Sequence, residues 1–192
     1  LRGLTQLRQI ANHPKLIEPG YQGGSGKLED ITHMIRSTVS EGHKVLIFSQ
    51  FVRHLTIVKE FLSEEGISFS YLDGNTKDRK AQVEAFQEDS SIQVFLISLK
   101  AGGVGLNLTS AGYVFLLDPW WNPAVEAQAI DRAHRIGQEN KVIIYKFITR
   151  NTVEEKIMAL QARKTALAGE LIGTEESFVK RLSPDDISAL LE

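Results

Sequence analysis

Two arginines three residues apart, Arg132 and Arg135, stand in the segment QAIDRAHRIGQ (128–138). On a helix turning about 100° per residue, Gln128, Arg132 and Arg135 share a sector of about 60°. Ala129, Ile130, Ala133 and Ile136 fill the opposite arc and are expected to face a sheet. Paired guanidinium forks suit phosphate better than ammonium groups do. An arginine that meets a γ-phosphate in the transition state is worth about 10³–10⁵ in rate. The same side chains could instead form a solvated basic face, or pair with Asp131 or Glu126. Upstream, LKAGGVGLNLTSAG (99–112) places Gly102, Gly103 and Gly105 where a backbone could approach a ligand closely. Its N–H groups could hold a phosphate oxygen, with Lys100, Asn107, Thr109 and Ser110 as further donors. The plain alternative is a glycine turn between strands.

Other segments carry weaker chemistry. DPWWNPA (118–124) sets two tryptophans side by side in a turn. Core filling is the default for tryptophan. Two adjacent ones are hard to bury together, so one is expected to be free to meet nucleic acid. Asp73-Gly74-Asn75-Thr76 reads as a turn that starts a helix at Thr76, or as a contact from the Thr76 hydroxyl to backbone phosphate. GGSGK (23–27) looks like a phosphate loop, but GxxxxGK[ST] would need glycine where Tyr21 stands and a hydroxyl where Leu28 stands. No acidic DExx run follows a strand to hold magnesium. The chain is therefore not expected to hydrolyse a nucleotide by itself. His134 points away from the Gln128/Arg132 face and reads as a packing histidine. His13, His33, His43 and His54 show no metal-ligand spacing.

These residues need elements to position them. KVLIFS (44–49), ISFSYL (67–72), IQVFLI (92–97), YVFLLD (113–118) and KVIIYKFI (141–148) read as strands, several almost wholly apolar, as when both sheet faces are covered. Helical stripes lie between them: Leu28, Ile31, Ile35 and Val39, then Leu55, Val58 and Leu62, then Val83 and Phe86. Asn122-Pro123 provides an N-cap and a first-turn proline. Thr152-x-x-Glu155 is a capping box for a helix to about Ala168. Ser183-Pro184-Asp185-Asp186 opens a last short helix. Alternating strands and helices predict an α/β fold with a mostly parallel sheet, its ligands beyond the C-terminal strand ends. Ser49-Gln50-Phe51, Asp73 to Thr76, Ser98 to Gly105 and Asp118 to Pro123 all fall there.

The chain has 192 residues, 22 Lys+Arg against 24 Asp+Glu, and no cysteine, which excludes thiol nucleophiles and Cys-ligated metals. No apolar run approaches the ~18 residues of a membrane span, and no signal peptide is evident. Beginning at Leu1, the chain reads as a piece of a longer protein. A net charge of −2 argues against a simple basic nucleic-acid binder, yet residues 128–164 hold eight basic and four acidic groups. Such a block can mark a phosphate-facing surface or merely solvated helix faces.

KVLIFSQF, YLDGNT with Arg79, the run from ISLKAGGVGLNL to DRAHRIGQ, and TVEEKI together resemble the C-terminal helicase lobe of the Swi/Snf group of superfamily-two ATPases. LRQIANHPKLI (7–17) is similar to the connector that precedes that lobe, and the closing LSPDDISALLE resembles the tail of bacterial members. The resemblance implies a RecA-like three-layer αβα lobe over 27–150, a helical connector over 1–26, and a brace helix with tail over 151–192. It implies a double-stranded-DNA translocase, of a family whose members usually move without unwinding. ATP and Mg2+ would be held mainly by a first lobe of the same protein. On the family's motifs, Arg132 and Arg135 match arginine fingers and Gln128 their leading glutamine, while Gly103 and Gly105 lie in the loop meeting nucleotide and DNA. Ser49, Gln50, Thr76, Arg79, Ser98, Lys100, Asn107 and Trp121 match positions near DNA. A monomer with no membrane partner is expected, cytoplasmic and nucleoid-associated in a bacterium or nuclear in a eukaryote. A non-catalytic nucleic-acid or protein-binding module and an RNA helicase lobe stand as alternatives.

Overall fold

The computed structural model describes residues 2–99, 101, 106, 108–131, 141–167 and 182–191. Five parallel strands form one sheet in the order β2-β3-β1-β4-β5: β1 Val45–Ser49, β2 Phe69–Leu72, β3 Val94–Ser98, β4 Tyr113–Leu116 and β5 Ile143–Lys146. The helices are α1 Arg2–Asn12, α2 Gly26–Ser40, α3 Val52–Glu64, α4 Arg79–Glu88, α5 Pro123–Ile130, α6 Val153–Leu167 and α7 Pro184–Leu191. The expected α/β architecture is present.

Side chains alternate across a strand, so β1 feeds two cores. Leu46 and Phe48 pack with Leu72, Phe86, Phe95, Leu116 and Trp120 on the α4/α5 face. Val45 and Ile47 pack with Ile31, Ile35, Leu55, Val58 and Leu62 on the α2/α3 face. Burial on both faces explains why β1 and β3 are apolar throughout. β5 departs from the expectation. It is one of the two edge strands, and its residues are exposed, Ile143, Ile144 and Tyr145 included.

Helix starts follow local chemistry, with one correction. Asn122 caps α5, its Oδ1 accepting from Ala124 N at 2.9 Å, and Pro123 takes the first turn. The third predicted helix begins at Arg79 instead of Thr76. Asp78 caps it by accepting from Ala81 N at 2.9 Å, while the Thr76 hydroxyl is drawn into the preceding turn. At α6, Glu155 accepts from Asn151 N at 2.8 Å and Thr152 Oγ1 from Glu154 N at 3.2 Å.

A third cluster ties the flanks to the sheet. Leu4 of α1, Trp121 after β4, Val153, Ile157 and Leu160 of α6, and Leu190 of α7 pack together. The first and last helices thereby close over the C-terminal end of β4.

Candidate functional site

Strand order reverses between β1 and β4, the place where open α/β sheets bind ligands. Asp118, just past β4, is almost wholly buried there. Its carboxylate accepts a short hydrogen bond from Ser49 Oγ, and both oxygens accept from Gln50 N at 3.3 Å. Burial pushes the Asp118 pKa up, and the charges of Arg8 and Lys27 and the Ser49 bond oppose that shift. Gln50 Nε2 donates to Pro119 O at 3.0 Å. The ends of β1 and β4 are thus locked, which sets where α5 departs.

A buried polar chain lies behind this lock. Lys27 Nζ donates to Glu154 Oε1 at 2.7 Å, to Glu154 Oε2 at 2.8 Å and to Asn12 Oδ1 at 2.9 Å. Glu154 Oε2 also accepts from Thr149 N at 2.8 Å, and Thr149 Oγ1 donates to Ala11 O at 2.8 Å. Burial pushes Lys27 down and Glu154 up, toward their neutral forms, and each partner's charge pulls the other back. Gln161 Nε2 reaches Trp120 O. Three helices and the β4 loop are joined by charges that sequence reasoning did not single out. Arg8, Lys27, Asp118 and Glu154 fall within quoted segments, but their pairing was not legible there, because each depends on a partner far along the chain.

At the end of β2, Asp73 organises a closed turn. It accepts from Tyr71 Oη at 3.2 Å, Asn75 N at 2.8 Å and Thr76 Oγ1 at 3.3 Å. Burial and the nearby carboxylate push the Tyr71 hydroxyl up to about 12. Arg79 Nη1 lies 3.5 Å from Ala101 O, linking α4 to the loop after β3.

The expected site residues divide into three groups. Gln50, Thr76 and Arg79 are partly exposed at the strand ends, and Gln128 is exposed on α5. Ala129 is buried beside it and Ile130 packs on the α4/α5 core, as the helical phasing requires. Ser49 and Ser98, opposite one another in the β1–β3 register, are buried and face no open surface. Ser49 is spent on Asp118. The expectation that one of the two adjacent tryptophans is free needs a correction: Trp121 is 5% exposed and Trp120 is 1% exposed, so both are buried. They turn to different clusters, Trp120 to the α4/α5 core and Trp121 to the flanking helices, which resolves the apparent conflict. Glu126 pairs with Lys146 of β5. Lys100, Gly103, Gly105, Asn107, Arg132 and Arg135 lie outside the described residues, as does His134.

Comparison with known proteins accords with this architecture. The family model "Helicase conserved C-terminal domain" matches residues 26–137. The DNA repair protein rad8 of Schizosaccharomyces pombe is 45% identical over 169 residues, 87% of this chain and 14% of that protein. This chain therefore spans a small part of that relative's length. The Sulfolobus solfataricus SWI2/SNF2 ATPase core in complex with double-stranded DNA has a TM-score of 0.78 at 35% identity, covering 98% of this chain and 41% of that one. The C-terminal domain of the same ATPase has a TM-score of 0.75 at 34% identity, covering 98% of this chain and 79% of that one. With the parallel sheet, the β1/β4 junction and a family match over more than half its length, the chain belongs to the helicase C-terminal domains of the SWI2/SNF2 family.

Proposed function

We propose that this chain is the second motor lobe of an ATP-dependent double-stranded-DNA translocase. The observation that carries the proposal is α5. The Asp118 lock and the Asn122 cap launch it from the switch point with Gln128 exposed and Ala129 buried. The sequence continuing from that helix holds Arg132 and Arg135. In the proposed cycle, ATP bound on a preceding lobe of the same protein meets these arginines when the lobes close. They neutralise charge that develops on the γ-phosphoryl group as water displaces ADP. Closure and reopening would shift two grips along the DNA backbone. Gln50, Thr76 and Arg79 are the described, partly exposed candidates for this lobe's grip, with Lys100 and Asn107 from the sequence. Similarity to a SWI2/SNF2 core in complex with double-stranded DNA supports the substrate.

Magnesium does not fit the described end of this lobe. The buried carboxylate there, Asp118, is committed to Ser49 and Gln50 and faces the charges of Arg8 and Lys27. The ion that accompanies ATP is assigned to the preceding lobe.

The test is turnover in a protein carrying this chain behind its first lobe. Duplex DNA should stimulate ATPase activity more than duplex RNA does. Arg132→Ala and Arg135→Ala should each lower kcat by about 10³-fold or more. Near wild-type turnover in both variants would sink the finger assignment. The 192-residue chain alone should bind duplex DNA weakly, with affinity falling steeply with salt, and should turn over no ATP.

A further inference from the structure

The crevice at the β1/β4 switch point is filled from within the chain. Arg8 of α1 enters it and is 5% exposed. Its guanidinium carbon lies 5.3 Å from the Phe51 ring centroid and 5.1 Å from that of Trp121. Arg8 Nη2 donates to Pro119 O at 2.9 Å, the carbonyl that also accepts from Gln50 Nε2. Phe51 follows β1, whereas Pro119 and Trp121 follow β4. One side chain from α1 therefore touches both lips of the switch point. The residue after Trp121 is Asn122, the cap of α5.

We infer that Arg8 is a positioning residue: it sets the angle at which α5 leaves the sheet and passes displacement of α1 on to α5. The inference rests on the second-lobe reading, in which α1 follows the first lobe and α5 leads toward Arg132 and Arg135. A planar cation stacked against two rings and hydrogen-bonded at its edge has one favourable orientation. Buried at this depth beside the charge of Asp118, it is held at Pro119 O with little freedom to reorient. A shift of α1 thus drags the β4 loop and the first turn of α5 with it. Lysine would keep the charge and one hydrogen bond but lose the planar stack, so it separates geometry from charge.

Arg8→Lys and Arg8→Ala are made in the 192-residue chain and in the two-lobe protein. In the short chain, amides of Asn122–Ile130 are followed by hydrogen exchange, with tryptophan emission reporting Trp120 and Trp121, its two tryptophans. Arg8→Lys should speed exchange in α5 by about tenfold while β1 and β3 stay protected, and should shift the emission. In the two-lobe protein it should lower duplex-stimulated kcat by about tenfold or more, with KM for ATP within about twofold. Should Arg8→Ala fail to fold, Arg8→Lys decides alone. Unchanged α5 exchange and unchanged kcat in Arg8→Lys overturn the inference. So does a loss of protection spread evenly over β1, β3 and α5, which would make Arg8 a general stabiliser. A wild-type two-lobe protein without duplex-stimulated turnover overturns the motor reading instead, and the exchange data still decide whether Arg8 sets α5.

Discussion

Lys27 and Glu154 stand 127 positions apart, and the ammonium of one donates to both carboxylate oxygens of the other at 2.7 and 2.8 Å in a place almost closed to water. This pair explains why GGSGK is no phosphate loop. Its lysine is turned inward and spent on Glu154 and Asn12. The pair also fastens α2 to α6, and through Asn12 to α1.

Removing one partner should leave the other charged, buried and unpaired. Lys27→Met or Glu154→Leu alone is expected to cost about 3–5 kcal/mol. The double variant should lose clearly less than the sum of the two, because no orphan charge remains. Urea unfolding of the four proteins in the cycle measures this. Simple additivity would show that the pair contributes little as a pair.

His54 gives the fold an acid sensitivity. It is fully buried in α3, and neither ring nitrogen has a hydrogen-bond partner among the described residues. Burial pushes its pKa down to about 3, aided by the charges of Lys27 and His13. Between that value and the ordinary 6.5, the unfolded chain binds a proton that the folded chain does not. Stability is therefore fully present above pH 6.5 and falls as pH falls toward 3, by up to about 1.4 kcal/mol per pH unit. Asp118 and Glu154, raised by burial, act in the opposite direction at acid pH, so the comparison must be with a variant. Denaturant unfolding at pH 7 and pH 5 should show a smaller loss in His54→Leu than in wild type. Equal losses would remove His54 as the cause.

Trp121 distinguishes packing from DNA contact. Its ring sits among Leu4, Val153, Ile157 and Leu190, under Arg8. Trp121→Ala should destabilise the chain by about 3–5 kcal/mol. Below its melting range, the folded variant should keep DNA affinity within about threefold. Thermal melts alongside anisotropy binding check both. Normal stability with a large loss of affinity would instead favour the DNA contact that the family resemblance implies.

Local features were legible without a structure. The apolar runs at Val45–Ser49 and Val94–Ser98, the stripe Ile31–Ile35 and the cap at Asn122 each depend on neighbours within a turn or two. The helical phasing that exposes Gln128 and buries Ala129 follows from 3.6 residues per turn alone. The cap of α4 lies two residues beyond Thr76, because Thr76 and Asp78 are both good caps and only the turn around Asp73 chooses between them.

Residue order and spacing by themselves determined the parallel α/β lobe, since it follows from periodicity and short-range chemistry, while the family was legible only as a resemblance carried by its motifs. Tertiary structure alone decided which polar residues are sealed inside. Arg8 meets Pro119, Ser49 meets Asp118 and Lys27 meets Glu154 across 111, 69 and 127 positions. Trp121 changes from an expected surface contact to a buried ring only because α1, α6 and α7 converge on it. A charge or ring is worth keeping inside only when its partner arrives from elsewhere in the fold, and that pairing appears only when distant segments come together.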